Sequence, residues 1–251
     1  MFAVRVAAAG DETVAAARTL NQQAAVAQNL SNVNTPGYRA MVSAFRAVPL
    51  TGEGLPTRTF VVDSTAGTDF GSGVLQQTGR SLDAAILGQG WIAVQLPDGG
   101  EAYTRNGSLQ IAANGVLQTR NGPNVAGDGS IITIPPDTDI TIAKDGTIST
   151  VPSGTQPGSV VVAGRIKLVN PPENLMVRGD DGLFRTRDGS AVDVDANVVL
   201  VAGSLESSNV NAVEEMVNMI AVARQYDLQM KMLQNADSNS RHASKLLNNN
   251  A

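Results

Sequence analysis

Residues 91–117, WIAVQLPDGGEAYTRNGSLQIAANGVL, decide the fold class. Short apolar or β-branched runs are separated here by Asp98-Gly99-Gly100, Asn106-Gly107 and Asn114-Gly115. Asp-Gly and Asn-Gly supply the positive φ of a tight hairpin turn, so runs flanking them fold back as antiparallel strands. The same grammar returns at Ile140 to Ala143 with Asp145-Gly146 and Thr147-Ile148, and at Leu183-Phe184-Arg185 with Asp188-Gly189. Residues 58–202 or so therefore read as hairpins in series. YTRNGS at 103–108 and FRTRDGS at 184–190 share a pattern that is too short to establish a repeat. VPSGTQPGS at 151–159 reads as a surface loop of this body, and Trp91, the one tryptophan, as its central core aromatic.

On either side of the body the period changes from two to helical. Toward the N-terminus, Ala17, Leu20, Ala24 and Ala27 recur at helix spacing, flanked by Val26, Leu30 and Val33, which predicts a helix with small knobs suited to close approach of another helix. Gly10 and Asp11 predict that its ordered part begins at Asp11 or later. The helix stops in NLSNVNTPGYRA, residues 29–40. There Asn32 and Asn34 disfavour it, Thr35 is pushed towards extended backbone by the proline after it, and Pro36-Gly37 suits a turn with positive φ at the glycine.

Toward the C-terminus, Asn211 is a predicted N-cap, with Glu214 and Glu215 facing the positive end of the helix dipole. Ala212, Met216, Met219, Ala223, Tyr226, Met230 and Leu233 then alternate spacings of four and three, the a/d seam of a heptad pattern, and Val213, Val217 and Ile220 add a second apolar shoulder. At ~1.5 Å per residue, a helix from Ala212 to Leu247 is about 50 Å long and the N-terminal one about 30 Å.

The expected fold is thus mainly β with terminal α-helices: an antiparallel β body inserted between N- and C-terminal helices that pair as a coiled coil. Residues 1–35 supply the N-terminal helix, 36–80 an extended joint and linker, 81–203 the β domain and 204–251 the C-terminal helix. Apolar surface beyond what two helices cover on each other calls for further subunits, which makes assembly the expected function.

Composition narrows the alternatives. The 251 residues carry 18 basic and 23 acidic side chains, a net charge of -5 without a basic stripe, so no nucleic-acid partner is expected. Cysteine is absent, which removes disulfides, thiolate catalysis and zinc-thiolate sites. MFAVRVAAAG at 1–10 makes a poor secretory signal, since Arg5 breaks a short apolar run. No apolar run is long enough to span a bilayer, and no membrane insertion is expected.

Candidate chemistry is thin. His242 is the sole histidine, near a helix end beside Arg241 and Lys245, and reads as a solvated cation. Asp193-x-Asp195-x-Asn197 has the opening spacing of a calcium loop, but Val198 and Ser204 stand where the loop needs glycine and glutamate. Gly88-x-Gly90 lacks the later glycine and the helix of a dinucleotide loop. Arg178-Gly179-Asp180 reads as part of a charged turn, and Ser81, Asp83, Asp98, Glu101 and Ser108 sit in turns that explain them. No enzymatic activity, cofactor, metal or small-molecule substrate is expected.

The terminal segments carry a resemblance. NLSNVNTPGYRA, GQGWIAVQLPDGGEAYTRNGSL at 88–109 and SSNVNAVEEMVNMIAVARQYDLQMKML at 207–233 resemble the bacterial flagellar rod and hook (axial) family across nearly the whole chain. FRAVP at 45–49, LPTRTFVV at 55–62, GRIKLVNP at 164–171 and RGDDGLFR at 178–185 are most similar to its proximal rod members, the distal rod protein being the alternative within the family. Outside the family, the alternative is a secreted β-rich adhesin or binding module.

The resemblance implies a structural subunit of the basal-body rod. Its terminal helices would form the inner layer of a helical tube spanning the periplasm, reached through the flagellar type III export apparatus without signal cleavage. Its partners would be the inner rod components and the distal rod protein. By resemblance, Asn29, Asn32, Asn34, Pro36 and Gly37 match the N-terminal signature, and Asn209, Asn211, Glu215, Met216, Ile220 and Arg224 the C-terminal one. Met219, Tyr226, Met230 and Leu233 complete the expected assembly interface.

Overall fold

The computed structural model describes residues 2–49, 59–152 and 160–248. The loop expected at 151–159 lies outside the described residues beyond Pro152, which ends a strand. The chain forms two compact units, one of residues 1–31, 41–69 and 210–251, the other of 32–40 and 70–209.

The first unit holds α1 (Phe2–Ser31), β1 (Met41–Pro49), β2 (Thr59–Thr68) and α2 (Ala212–Asn248). β1 and β2 pair antiparallel from Met41↔Thr68 to Pro49↔Thr59, with a bulge between Val42 and Ala44. α1 starts at Phe2 and not at Asp11. The ~1 kcal/mol cost of one interior glycine is offset by the alanine-rich turns on both sides of Gly10. Asn211 caps α2 as expected: its Oδ1 accepts the backbone N–H groups of Val213 at 3.2 Å and Glu214 at 3.4 Å.

The terminal helices lie antiparallel, tied by Thr19 Oγ1 to Gln229 Oε1 at 3.0 Å and by Asn29 Nδ2 to Glu215 Oε1 at 2.8 Å. They do not form the expected coiled coil. Ala17, Leu20, Ala24 and Ala27, the predicted knobs of α1, are all exposed, and the buried positions are Thr19, Ala25 and Asn29. In α2, Met216 is 52% exposed and no residue whose side chain is described is buried. A coiled coil seats apolar a and d side chains in facing holes. Here polar groups choose the contact face of α1, because a buried Thr or Asn turned away from its partner loses ~1–3 kcal/mol. The fold class is therefore mainly β, with one helix at each end.

Among the described residues, the second unit contains fifteen strands. They are β3 (Leu75–Gln77), β4 (Ala84–Leu87), β5 (Trp91–Gln95), β6 (Glu101–Thr104), β7 (Leu109–Ile111), β8 (Leu117–Thr119), β9 (Asn124–Val125), β10 (Thr138–Ile142), β11 (Thr147–Pro152), β12 (Val161–Arg165), β13 (Leu168–Val169), β14 (Met176–Arg178), β15 (Phe184–Thr186), β16 (Val199–Ala202) and β17 (Ser204–Glu206). The main sheet runs β14-β15-β6-β5-β9-β8-β7, with β13 also on β5; β10-β11-β12 form a second sheet, and β16 pairs β4 as β17 pairs β3. All these pairings are antiparallel.

The Asp98-Gly99-Gly100 turn joins β5 to β6 with Gly99 at φ +85°, as its sequence requires. Asn106-Gly107 does not make the expected hairpin, for β7 pairs with β8 and not with β6. Gly107 is instead a crossing point: Ala84 N–H donates to its carbonyl at 3.0 Å, and a Cβ there would lie 1.5 Å from the Ala84 carbonyl oxygen.

β5 is buried on both faces, which is why WIAV is a continuous apolar run and not an alternating one. Ile92 joins a core with Leu109, Leu117, Ile148, Ile166 and Leu200, while Trp91 and Ala93 join another with Tyr103, Val169, Met176 and Phe184. The Trp91 ring lies 4.7 Å from that of Phe184 and 6.0 Å edge-on from that of Phe70. Tyr103 is fully buried, and its hydroxyl accepts the Val192 N–H at 2.9 Å.

Two outcomes follow. Gly107→Ala forces the strand crossing apart and should cost more than ~3 kcal/mol of stability, read as a lowered urea midpoint. Burial, opposed by the Val192 N–H and aided by Glu101, pushes the Tyr103 hydroxyl up to about 12. Because the folded value exceeds the unfolded one near 10, the stability it contributes is complete below about pH 10 and is lost as pH rises through about 12. Tyrosinate absorbance followed alongside unfolding should show Tyr103 ionising only in that window.

Candidate functional site

The most constrained part of the second unit is the segment 32–40, which holds most of the N-terminal signature, where it meets β17. Thr35 to Tyr38 make a turn closed by Tyr38 N–H to Thr35 O at 3.2 Å, with Gly37 at φ +68°. Proline second and a positive-φ glycine third is the pattern of a type II turn. Gly37 is needed for space as well, since a Cβ there would sit 2.3 Å from the Arg105 carbonyl carbon. Its N–H donates to the Glu206 carbonyl at 2.8 Å.

The turn delivers Arg39 to Glu206. Arg39 Nη1 bonds Glu206 Oε1 at 2.8 Å, Gly73 N–H donates to the same oxygen at 2.9 Å, and Arg105 Nε lies 2.9 Å from Oε2. The three side chains are 1%, 1% and 2% exposed for Arg39, Glu206 and Arg105. The Arg105–Glu206 contact is an ion pair by distance without an aligned N–H···O bond. Arg105 also donates to the carbonyls of Gly90 at 2.7 Å and Gly88 at 2.6 Å. Burial lowers the affinity of its guanidinium for a proton, Glu206 opposes that and Arg39 reinforces it.

Asn209 locks the same segment from the other signature. Its Oδ1 accepts the Ala40 N–H at 2.7 Å, its Nδ2 donates to Gly71 O at 3.0 Å, and its N–H donates to Tyr38 O at 3.3 Å. Arg178 closes the other side, donating to Arg39 O at 2.8 Å with its guanidinium 4.3 Å from the centre of the Tyr38 ring. A cavity of about 610 Å³ adjoins the cluster, lined by Arg39, Arg105, Trp91, Phe70, Pro171 and Glu173 among others.

In the helical unit, Asn29 is the corresponding lock. Its Oδ1 accepts Met41 N–H at 2.7 Å, while its Nδ2 donates to Met41 O at 2.9 Å and to Glu215 Oε1. One amide thus ties the end of α1 to the start of β1 and to the first turn of α2.

The signature residues thus fall into two groups. Asn32, Gly37 and Asn209 belong to the loop cluster, with Thr35 Oγ1 bonding Asn32 Oδ1 at 3.1 Å; Pro36 shapes the turn and Asn34 is exposed and joins none of these bonds. Asn29, Asn211 and Glu215 organise the helix ends. Met219, Tyr226, Met230 and Leu233 are half-buried on α2, whereas Met216, Ile220 and Arg224 are exposed.

Arg39, Arg105 and Glu206 were not among the expected site residues, although Arg39 closes the N-terminal signature and Arg105 is the arginine of YTRNGS. The signal was a lone charge in a long uncharged stretch, residues 19–45 for Arg39 and 196–213 for Glu206. Of the turn residues considered, Ser108 is buried in a backbone bridge to Asp83, and Glu101 is paired with Lys167 at 2.8 Å. Among the described residues, no group of three or more His, Asp or Glu side chains is placed to hold a metal ion.

Glu206→Gln leaves two buried guanidinium groups without their counter-charge and should cost about 3–5 kcal/mol in urea unfolding, against less than ~0.5 for Asn34→Ala.

Residues 85–150 match the family described as the flagellar hook protein FlgE/F/G D1 domain, and residues 201–246 the flagellar basal body rod FlgEFG protein C-terminal family. The chain is 46% identical over 239 residues to the flagellar basal-body rod protein FlgF of Salmonella typhimurium, covering 93% of this chain and 95% of the relative. It is 46% identical over 240 residues to FlgF of Escherichia coli, with the same coverage. Likeness to the rod protein FlgG of Buchnera aphidicola (strain APS) is lower, 34% over 245 residues, covering 88% of this chain and 92% of that one. At 46% identity over 93% of its length to FlgF of Salmonella typhimurium and of Escherichia coli, the chain belongs to the flagellar basal-body rod protein family.

Proposed function

We propose that this chain is a structural subunit of the flagellar basal-body rod, in the proximal position, and that it packs against other rod subunits through the outward face of α2. The observation that carries this reading is the row Val213, Met216, Val217, Ile220, Leu228 and Met232. All six side chains are exposed, at helix spacings that put them together on the side of α2 away from α1. Covering such side chains contributes about 1.5–3 kcal/mol each, enough together to offset the entropy of association. A single subunit has no use for an apolar stripe of this length facing water, whereas a polymer of helices does.

The inward positions Met219, Tyr226, Met230 and Leu233 set the angle at which α2 is held. Load passes through Asn29, Asn211 and Glu215 at the helix ends and through Asn32, Pro36, Gly37 and Asn209 in the loop cluster, with Asn34 exposed beside it, and Arg224 lies exposed within the outward row. The partners are the inner rod components and the distal rod protein. The subunit reaches the periplasm through the flagellar type III export apparatus without cleavage. Torque passes along the rod as shear between helices.

Ile220→Asp, at a position 55% exposed, should leave the urea midpoint within ~0.5 kcal/mol of the parent but abolish swimming and recovery of the protein with isolated basal bodies in a strain lacking its own FlgF. Normal motility of this variant would sink the outward-face reading.

A further inference from the structure

The outward row of α2 is apolar except for Arg224, with Met216, Ile220 and Leu228 each more than half exposed. The outer side of α1 is its counterpart. Ala17, Leu20, Ala24 and Ala27 are exposed and, at about 100° per residue, fall on the far side of α1 from the buried Thr19, Ala25 and Asn29 that meet α2. A helix side that faces water usually carries charge, yet no Asp, Glu, Lys or Arg occurs from Thr19 to Ser31. The helix pair thus has a row of large apolar side chains on one outer side and an uncharged face of mostly small residues on the other.

The two surfaces match in height as well as in size. The bonds Thr19–Gln229 and Asn29–Glu215 fix the levels of the antiparallel helices, and at equal rise they put Ala27 about level with Ile220 and Ala17 about level with Leu228. Leu20, the large residue of the α1 face, comes about level with the stretch between those two, where the row offers only Arg224. A second copy displaced sideways would therefore set alanines opposite the large side chains and Leu20 opposite the gap, which lets the helix axes approach closely. Two α2 rows at the same level would instead set large residues against each other and Arg224 beside Arg224, an unfavourable pairing of like charges.

We infer that the outward row of α2 is covered by α1 of a second copy of this chain, through the face carrying Leu20, Ala24 and Ala27. The inference rests on the rod reading above and names the partner of its apolar row. Each copy carries one row and one matching face on opposite outer sides of its helix pair. The contact is therefore head-to-tail, and any complex of two copies leaves one row and one face uncovered, so addition continues until the array closes or runs on as a helix.

The chain has no cysteine, so introduced ones report without background. The full-length double variant Ala27→Cys/Ile220→Cys, in a strain lacking its own FlgF, should swim in reductant. Mild oxidation of its isolated basal bodies should link copies into a ladder of dimers, trimers and higher species, since cysteines level with each other on facing helices come within disulfide range. Either single variant, or Ala27→Cys combined with a cysteine at the exposed Asn218 on another side of α2, should give about tenfold less linked protein. Linkage of either single variant, or a ladder that ends at dimer, overturns the head-to-tail contact. Absence of linkage in the swimming double variant overturns a second copy as the occupant; the rod reading then stands or falls separately, on the swimming of Ile220→Asp. Ala24→Lys, at an exposed position, decides independently of cross-linking: it should keep the parent's unfolding midpoint and lose swimming, and normal swimming of this variant overturns the inference.

Discussion

Glu206 accepts from or pairs with Arg39, Gly73 and Arg105 through its carboxylate, and its carbonyl accepts from Gly37. Segments far apart in the chain therefore converge on one residue: the loop 32–40, the end of β6 and the strand β17 that leads towards α2. Burying these charges is costly, and the cost is recovered only if every partner is in place. That makes the arrangement a poor source of net stability but a strict determinant of geometry, since a displaced loop would strand two guanidinium groups. Gly37 completes the constraint sterically, with no room for a side chain against the Arg105–Asn106 backbone.

The helical unit obeys the same logic with neutral groups. Asn29 and Thr19 are buried on α1 and bonded to Glu215 and Gln229 of α2, so polar pairing and not apolar area decides which faces meet. The consequence is an economy of apolar surface. Thr19, Ala25 and Asn29 are the buried residues of α1, with Met219, Tyr226, Met230 and Leu233 half-buried on α2, and the valines, methionines, isoleucine and leucine of the other side of α2 remain outside.

Much of this was legible in the residues. Asp98-Gly99-Gly100 and Asp145-Gly146 placed hairpin turns, because positive φ is a local demand that a tight turn makes of its own residues. Asn211 announced its helix for the same reason, as did Pro36-Gly37 its turn. Asn106-Gly107 misled, because the same dipeptide serves where the backbone of Ala84 passes too close for any side chain, and that neighbour is more than twenty positions away. The stripe Ala17, Leu20, Ala24, Ala27 misled as well: small residues are compatible with either face, and the hydrogen bonds of Thr19 and Asn29 settled the matter.

By itself, then, the sequence determined what depends on the nearest few residues: turns, caps, the helical and extended periods, and the signatures that mark the family. Only the tertiary structure decided which helix face is covered, which charges are buried together and where apolar surface is left over. Those outcomes depend on partners brought together by the fold, and the energy of a buried charge or amide is set by whether its partner arrives.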